Sequence, residues 1–303
     1  MQHFGPNYPV IAGDRLRPGW FKIFWLYLML VPALVWGWSS LSGPLSLASA
    51  LITVVTVGFG LTIGLHRGII HRSYRCARFT RGVLVYLFVH TGLGGPLSWV
   101  RVHYFRDYWQ NRTDCPAYFR YDHSLLRDYY WNLHFALEPG DVGRYEIPDE
   151  DLTDPWLVFL EKTWYLHVLG AAGLIWMLFG FEAMIVCGPL RISIITMGNW
   201  FVGYVSHKYG YTRYHIDDAT EHGYNNWLLG ALSFGEGFHN NHHAHPSSAK
   251  MSTAWYELDL GWYLVAALRA VGLVWDVQVV GHDHTQKARA KEHRFRWHWP
   301  WQD

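Results

Sequence analysis

The chain has 303 residues, with 25 Lys plus Arg against 24 Asp plus Glu, and is 50% hydrophobic but only 16% charged. A charge balance this close to zero excludes the basic excess of a nucleic-acid binder, and a charged share well below the roughly 25% of an ordinary soluble domain points to a membrane. Three cysteines, Cys76, Cys115 and Cys187, are too few and too scattered for a disulfide framework or a thiolate iron–sulfur cluster, so a reducing, cytoplasm-facing setting is expected.

In chain order, Met1 to Pro18 lacks the cationic start, apolar run and small-residue cleavage site of a secretory signal. From Ile23 to Leu65 there is no charged residue, and only Ser39-Ser40-Leu41-Ser42-Gly43-Pro44 interrupts the run. A crossing takes about 20 apolar residues, so this stretch predicts two spans, near 20–39 and 45–65, joined by a tight turn. Gly82 to Val100 is also uncharged, but Gly92-Leu93-Gly94-Gly95-Pro96 would break a helix there, which predicts a re-entrant or interfacial element. Residues 101–162 read as a polar insertion. A second pair of spans is expected near 163–181 and 189–206, with Gly188-Pro189, Glu182 and Arg191 marking the turn. The apolar run from Trp255 to Trp275 is too often interrupted for a span. A tail over 284–303 mixes basic residues with Trp297, Trp299 and Trp301, which suits a headgroup interface or a disordered end.

Arg15, Arg17 and Lys22 precede the first span, and Arg67, Arg72, Arg75, Arg78 and Arg81 follow the second, whereas both turns carry almost no cation. The positive-inside rule then sets both termini and residues 66–162 on the cytoplasmic side. The expected fold is an all-α integral membrane protein. It has four transmembrane helices in two hairpins and a helical cytoplasmic cap, 66–162 and 207–283, the whole forming a single domain.

Histidine is the remaining anomaly, at 19 residues. His239, His242 and His243 stand at i, i+3 and i+4, one face of a helix, and histidine is the commonest metal ligand. His66 and His71 lie about 140° apart on a straight helix, so they converge only if the helix ends between them, which Gly68 would permit. His207 follows the fourth span directly. Four spans bring 66–71, 207 and 239–243 to one side of the bilayer.

These residues resemble a known family. His66-Arg67-Gly68-Ile69-Ile70-His71, the segment Ser206 to Tyr214, Asn225-Asn226-Trp227, and the run from Gly235 to Pro246 closely resemble the membrane fatty acid desaturases of the acyl-CoA desaturase type, over roughly residues 20–260. The resemblance implies a four-helix membrane stem and a cytoplasmic cap holding two irons (Fe2+). It also implies dioxygen as co-substrate and two external electrons for removing hydrogens from an acyl chain. The ligands it implies are His66, His71, His207, His239, His242 and His243.

The second family box, His-Arg-x-His-His, is altered: this chain reads His103-Tyr104-Phe105-Arg106-Asp107, and Gly203 replaces an asparagine four residues before His207. Arginine stays protonated and cannot ligate a metal. Asp107 can, since a carboxylate is an ordinary non-haem iron ligand and position i+4 faces the same way as His103. On that reading Arg106 points away from the metals, and the half of the centre built on His239 to His243 is the intact one. An Arg106–Asp107 surface pair is the competing reading, and His134 is the next candidate ligand.

Glu236, Asn240, Asn241 and Asp217 or Asp218 are candidate partners for the outer ring nitrogens. An external electron donor, a ferredoxin or cytochrome b5 type with its reductase, is expected, because the chain has no haem-binding His-Pro-Gly-Gly segment and no cysteine cluster. The function expected is oxygen-dependent desaturation of a fatty acyl group carried by CoA or lipid. A hydroxylase or acetylenase on the same fold, or a non-catalytic lipid-binding relative, are the alternatives.

Overall fold

The computed structural model describes residues 14–110, 112–217, 219, 223–280 and 290–298. Strand β1 (Arg15–Pro18) leads into α1 (Trp20–Ser40) and then α2 (Gly43–Ile70), whose second part, Val54–Ile70, is wound as a π-helix. Strand β2 (Arg75–Cys76), α3 (Arg78–Val89), α4 (Pro96–Gln110), α5 (Leu125–His134) and β3 (Phe135–Glu138) follow. Next come α6 (Pro155–Phe179) and α7 (Phe181–Ser206). The remainder is β4 (Gly210–Ile216), α8 (Trp227–Leu232), α9 (His239–Ala244), α10 (Leu260–Ala270), β5 (Val274–Trp275) and β6 (Ala290–His298).

Among the described residues three helices are long and apolar enough to cross a membrane: α1, α2 and α7. Helix α6 has the length, at 25 residues, but carries Glu161, Lys162 and His167. Trp38 at 87% exposure and Met177 at 78% show how openly α1 and α6 present apolar side chains, as helices facing hydrocarbon do. The first tight turn falls where the sequence sets it, with the Ser42 hydroxyl accepting from Leu45 N and Pro44 in the first turn of α2.

The second turn does not. Gly188-Pro189 and Arg191 lie inside the continuous Phe181–Ser206 helix, in and beside a five-residue π-helical segment, Val186–Leu190. The chain reverses instead at Gly180, whose φ of +88° favours glycine. Asp154 starts α6 eight residues before the expected boundary by accepting from Trp156 N and Leu157 N at 2.8 and 3.1 Å. Arg191 is tolerated inside the bundle because its guanidinium donates to Cys187 O (2.7 Å), Thr56 Oγ1 (3.2 Å) and His90 O (2.8 Å).

The break after α3 falls at the expected glycines. Gly92 and Gly94 take φ of +74° and +126°, and Glu161 of α6 accepts from Leu97 N and Ser98 N, capping α4. Close packing of α3 on α2 depends on a Gly60-x-x-x-Gly64 row. A Cβ at Gly60 would stand 2.3 Å from Phe88 N, and one at Gly64 would stand 2.8 Å from the Leu84 carbonyl carbon. The core continues from this seam through Leu65, Val85, Phe88, Val100, Phe105, Leu157 and Leu160.

The all-α expectation needs amendment. Among the described residues three antiparallel two-stranded ribbons join distant segments: β1 with β3, β2 with β5, and β4 with β6. The last places part of the expected tail, 290–298, against the strand that follows His207, with Tyr211 opposite Trp297 and a register shift between Thr212 and Tyr214. The run from Trp255 to Trp275 yields only the 11-residue α10.

Candidate metal centre

The two histidines five apart converge by a route other than a helix end. The π-helical stretch carries an i→i+5 bond that closes on this pair, His71 N donating to His66 O at 3.0 Å, so both rings fall on one face. Gly68 has a steric task, since a Cβ there would stand 2.7 Å from Tyr74 Oη. Arg67, wholly buried between the two histidines, donates to Ala249 O, Phe234 O and Asp259 Oδ1 at 2.7, 2.8 and 3.0 Å, which locks the helix end to the segments around α9.

Among the described residues seven imidazoles gather in two groups. His66, His71, His103 and His242 form one; His207, His239 and His243 form the other. In the first, His66 Nε2 lies 2.9 Å from His103 Nε2 and 3.1 Å from His71 Nε2. In the second, His239 Nε2 lies 2.9 Å from His207 Nε2. Helix α9 contributes to both: His242 turns to the first group, His239 and His243 to the second. The three histidines on one helical face are therefore divided between the groups rather than forming one half of the centre.

Carboxylates fix what these nitrogens can do. Glu236 Oε2 lies 2.7 Å from His66 Nδ1, and Asp107 Oδ2 lies 3.2 Å from His103 Nδ1. A carboxylate oxygen only accepts, so the proton belongs on Nδ1 of each ring and leaves a lone pair on each Nε2. Two lone pairs at 2.9 Å repel unless a cation sits between them. His71, His207, His239 and His242 are held well below the ordinary imidazole value, first by burial and then by neighbouring imidazoles, so they too offer lone pairs at neutral pH. Burial pushes the Asp107 and Glu236 carboxyls up, but the adjacent histidines outweigh it and hold both below the usual carboxylate range. This donor set fits a pair of divalent transition-metal ions.

Asp107 stands against His103 Nδ1, outside both groups of converging nitrogens. His134 is engaged elsewhere, with Nε2 3.0 Å from Tyr27 Oη and Nδ1 3.1 Å from Tyr130 O. Asn240 accepts from Arg213 N and Tyr214 N at 2.7 Å each, fastening α9 to β4, while Asn241 bonds to Asn225, Met251 O and Glu257. Asp217 pairs with His215 at 3.8 Å, and Asp218 lies outside the described residues.

Arg106 does not turn away from the centre. Its NH1 donates to Tyr121 Oη at 2.7 Å, and the Tyr121 ring stacks on His207 with centroids 4.5 Å apart and planes at 4°. Sequence reasoning passed over Tyr121 and the fully buried Asp128, which accepts from His123 Nε2, Asn132 Nδ2 and Trp200 Nε1 at 2.7, 2.8 and 2.7 Å. The one available signal for Asp128 was its place in an amphipathic helix start, Ser124 being the N-cap.

A fatty acid desaturase family profile matches residues 42–278. The chain belongs to the fatty acid desaturase family. It is 30% identical over 238 residues to an acyl-CoA 5-desaturase of Anemone leveillei, covering 77% of this chain and 71% of the relative. An sn-1 stearoyl-lipid 9-desaturase of Synechocystis sp. is 29% identical over 287 residues, with 89% and 84% covered. Another of that name from Anabaena variabilis is 31% identical over 236 residues, with 76% and 82% covered. Membership makes the chain an oxidoreductase of lipid metabolism, and its membrane-length helices and histidine groups accord with that.

Proposed function

We propose that this desaturase uses two irons, one in each histidine group, and dioxygen to introduce a double bond into a fatty acyl chain carried by CoA or lipid. The observation that carries the reading is the convergence of seven imidazoles into two groups, with Nε2 separations near 3 Å found in each, two of the rings backed by Glu236 and Asp107. Iron with dioxygen supplies the oxidant that an unactivated methylene requires and that side chains lack. The chain's own residues set the geometry. Glu236 and Asp107 hold the tautomers of His66 and His103, and the π-helical wind aligns His66 with His71. Arg67 and Asp259 bind the helix end to the α9 segment.

The relatives are named for acyl-CoA and acyl-lipid substrates and for different positions along the chain, so the carrier and the bond position are left to experiment. In the membrane we place α1, α2, α6 and α7 as four spans with both termini and the histidine groups in the cytoplasm, supported by the cation distribution and the exposed apolar faces. Electrons come from a ferredoxin or cytochrome b5 type donor with its reductase. The test is expression in a desaturase-deficient host with acyl profiling. New unsaturated species that vanish in His242→Ala support the reading, and an unchanged profile with iron-loaded protein present refutes it.

A further inference from the structure

We infer that α10 is a membrane-interface helix: it lies in the leaflet next to the histidine groups, sets its outer face against acyl chains, and ties the histidine-bearing end of α2 to that surface. This rests on α2 crossing the bilayer, as read above.

The sequence of α10, from Leu260 to Ala270, has one charged side chain, Arg269 in the last turn. At 11 residues the helix is about 16 Å long, too short to cross. Both of its faces are apolar. Gly261 and Val265 are buried, and Val265 packs with Ile63 of α2 and Leu84 of α3. On the other side Leu260 and Tyr263 are exposed, and the exposed apolar surface runs on through Val271, at 70%, and Leu273 to Trp275. A helix that is apolar all round belongs inside a protein or in lipid, and the described residues cover only one side of α10.

Depth decides which of the two covers the other side. Helix α10 meets α2 at Gly58, where an added Cβ would stand 3.0 Å from Leu264 Cδ1. With 28 residues, α2 is at most about 42 Å long, and about 30 Å of it crosses hydrocarbon, so no more than about 12 Å can project from the bilayer. Gly58 is about 18 Å from the Ile70 end. Gly58 and Leu264 therefore lie inside the hydrocarbon wherever the bilayer is set along α2. The depth matches the roughly 5–10 Å to which interfacial helices bury their apolar face.

The polar groups of the helix suit this setting. Asp259, its N-cap, is buried, and its Oδ1 accepts from Trp262 N at 2.9 Å and from Arg67 NH2 at 3.0 Å, so its charge is matched inside the protein. Arg269 is exposed, and its long side chain can reach the headgroups. Because Arg67 stands between His66 and His71, the pair with Asp259 carries the seat of α10 in the leaflet directly to these two histidines.

The test is site-specific photocrosslinking. Full-length protein with p-benzoylphenylalanine in place of Tyr263, Val271, Leu51 or Thr113 is reconstituted in nanodiscs of phosphatidylcholine and phosphatidylglycerol, irradiated, and its adducts identified by mass spectrometry. Leu51 is exposed on the apolar part of α2, and Thr113 is exposed in a polar loop. Lipid adducts at 263 and 271 are expected to match those at 51 and to exceed those at 113 by about tenfold or more. Yields at 263 and 271 as low as at 113, with 51 labelled, would overturn the inference and leave the crossing of α2 standing. Absence of lipid adducts at 51 as well would remove the crossing and the inference with it. Adducts at 263 to a second copy or to the chain's own residues, in place of lipid, would also overturn it, since the face would then be covered by protein.

Discussion

Replacing Asp107 by asparagine and by alanine separates two roles for one carboxylate. If Asp107 holds His103, its task is to accept from Nδ1 across the 3.2 Å contact, and an asparagine Oδ1 can still accept there. The change from a charged to a neutral acceptor costs about 1 kcal/mol, or roughly fivefold in affinity. Alanine removes the acceptor and frees the ring to change tautomer, which costs about 10–100-fold in metal affinity. If Asp107 were instead a direct ligand, asparagine would forfeit the anionic donor and approach the loss seen in His103→Ala. The assay is Co2+ titration of the metal-stripped protein in all three variants. The expected order of damage is asparagine least, alanine intermediate, His103→Ala greatest. Asparagine as harmful as His103→Ala would refute the holding role and return Asp107 to the metal.

His134→Ala should leave metal stoichiometry unchanged, because both ring nitrogens are spent on Tyr27 and Tyr130, and metal analysis showing one ion fewer would contradict this. Gly60→Ala should destabilise the protein by at least about 1–3 kcal/mol, since a Cβ 2.3 Å from Phe88 N forces backbone apart; an unshifted melting temperature in detergent would show that α2 and α3 do not pack this closely. For the metal-stripped protein, four histidines with depressed values make stability depend on pH. The unfolded chain takes up these protons near pH 6.5 while the native one resists. Stability is therefore full above that pH and falls below it, by up to about 5 kcal/mol per pH unit for four protons. Denaturation midpoints that stay flat from pH 8 to 5 would refute the burial of neutral imidazoles.

The sequence announced the ligand types but not their partition. The i, i+3, i+4 spacing of His239, His242 and His243 showed one helical face, yet a face can border two groups, and only the tertiary placement of His66, His71 and His103 beside His242 and of His207 beside His239 and His243 divides it. The His66–His71 pair was legible as an anomaly of helical phase. Its solution, a π-helical wind, depends on glycine-mediated contact with α3 and Tyr74, which local propensity does not encode. The Gly92 to Pro96 break was readable because glycine and proline act on the backbone directly. The same logic misplaced the second turn: Gly188-Pro189 was absorbed by a π-helical segment and Arg191 by three oxygen acceptors, both consequences of packing. The ribbons escaped notice because each pairs segments more than 70 residues apart, and Arg106 could be read as pointing away from the metals only while the position of Tyr121 was unknown.

The central claim is that these histidines support oxygen-dependent desaturation. It is tested most directly with purified, iron-loaded protein, a reduced electron donor, and acyl chains presented both as CoA thioesters and as lipids, with the products identified by mass spectrometry. The account predicts an acyl product two hydrogens lighter than its substrate, formed only when dioxygen and electrons are both present and lost in His239→Ala and His242→Ala. A product heavier by one oxygen atom, or no product from protein carrying both irons, would contradict it.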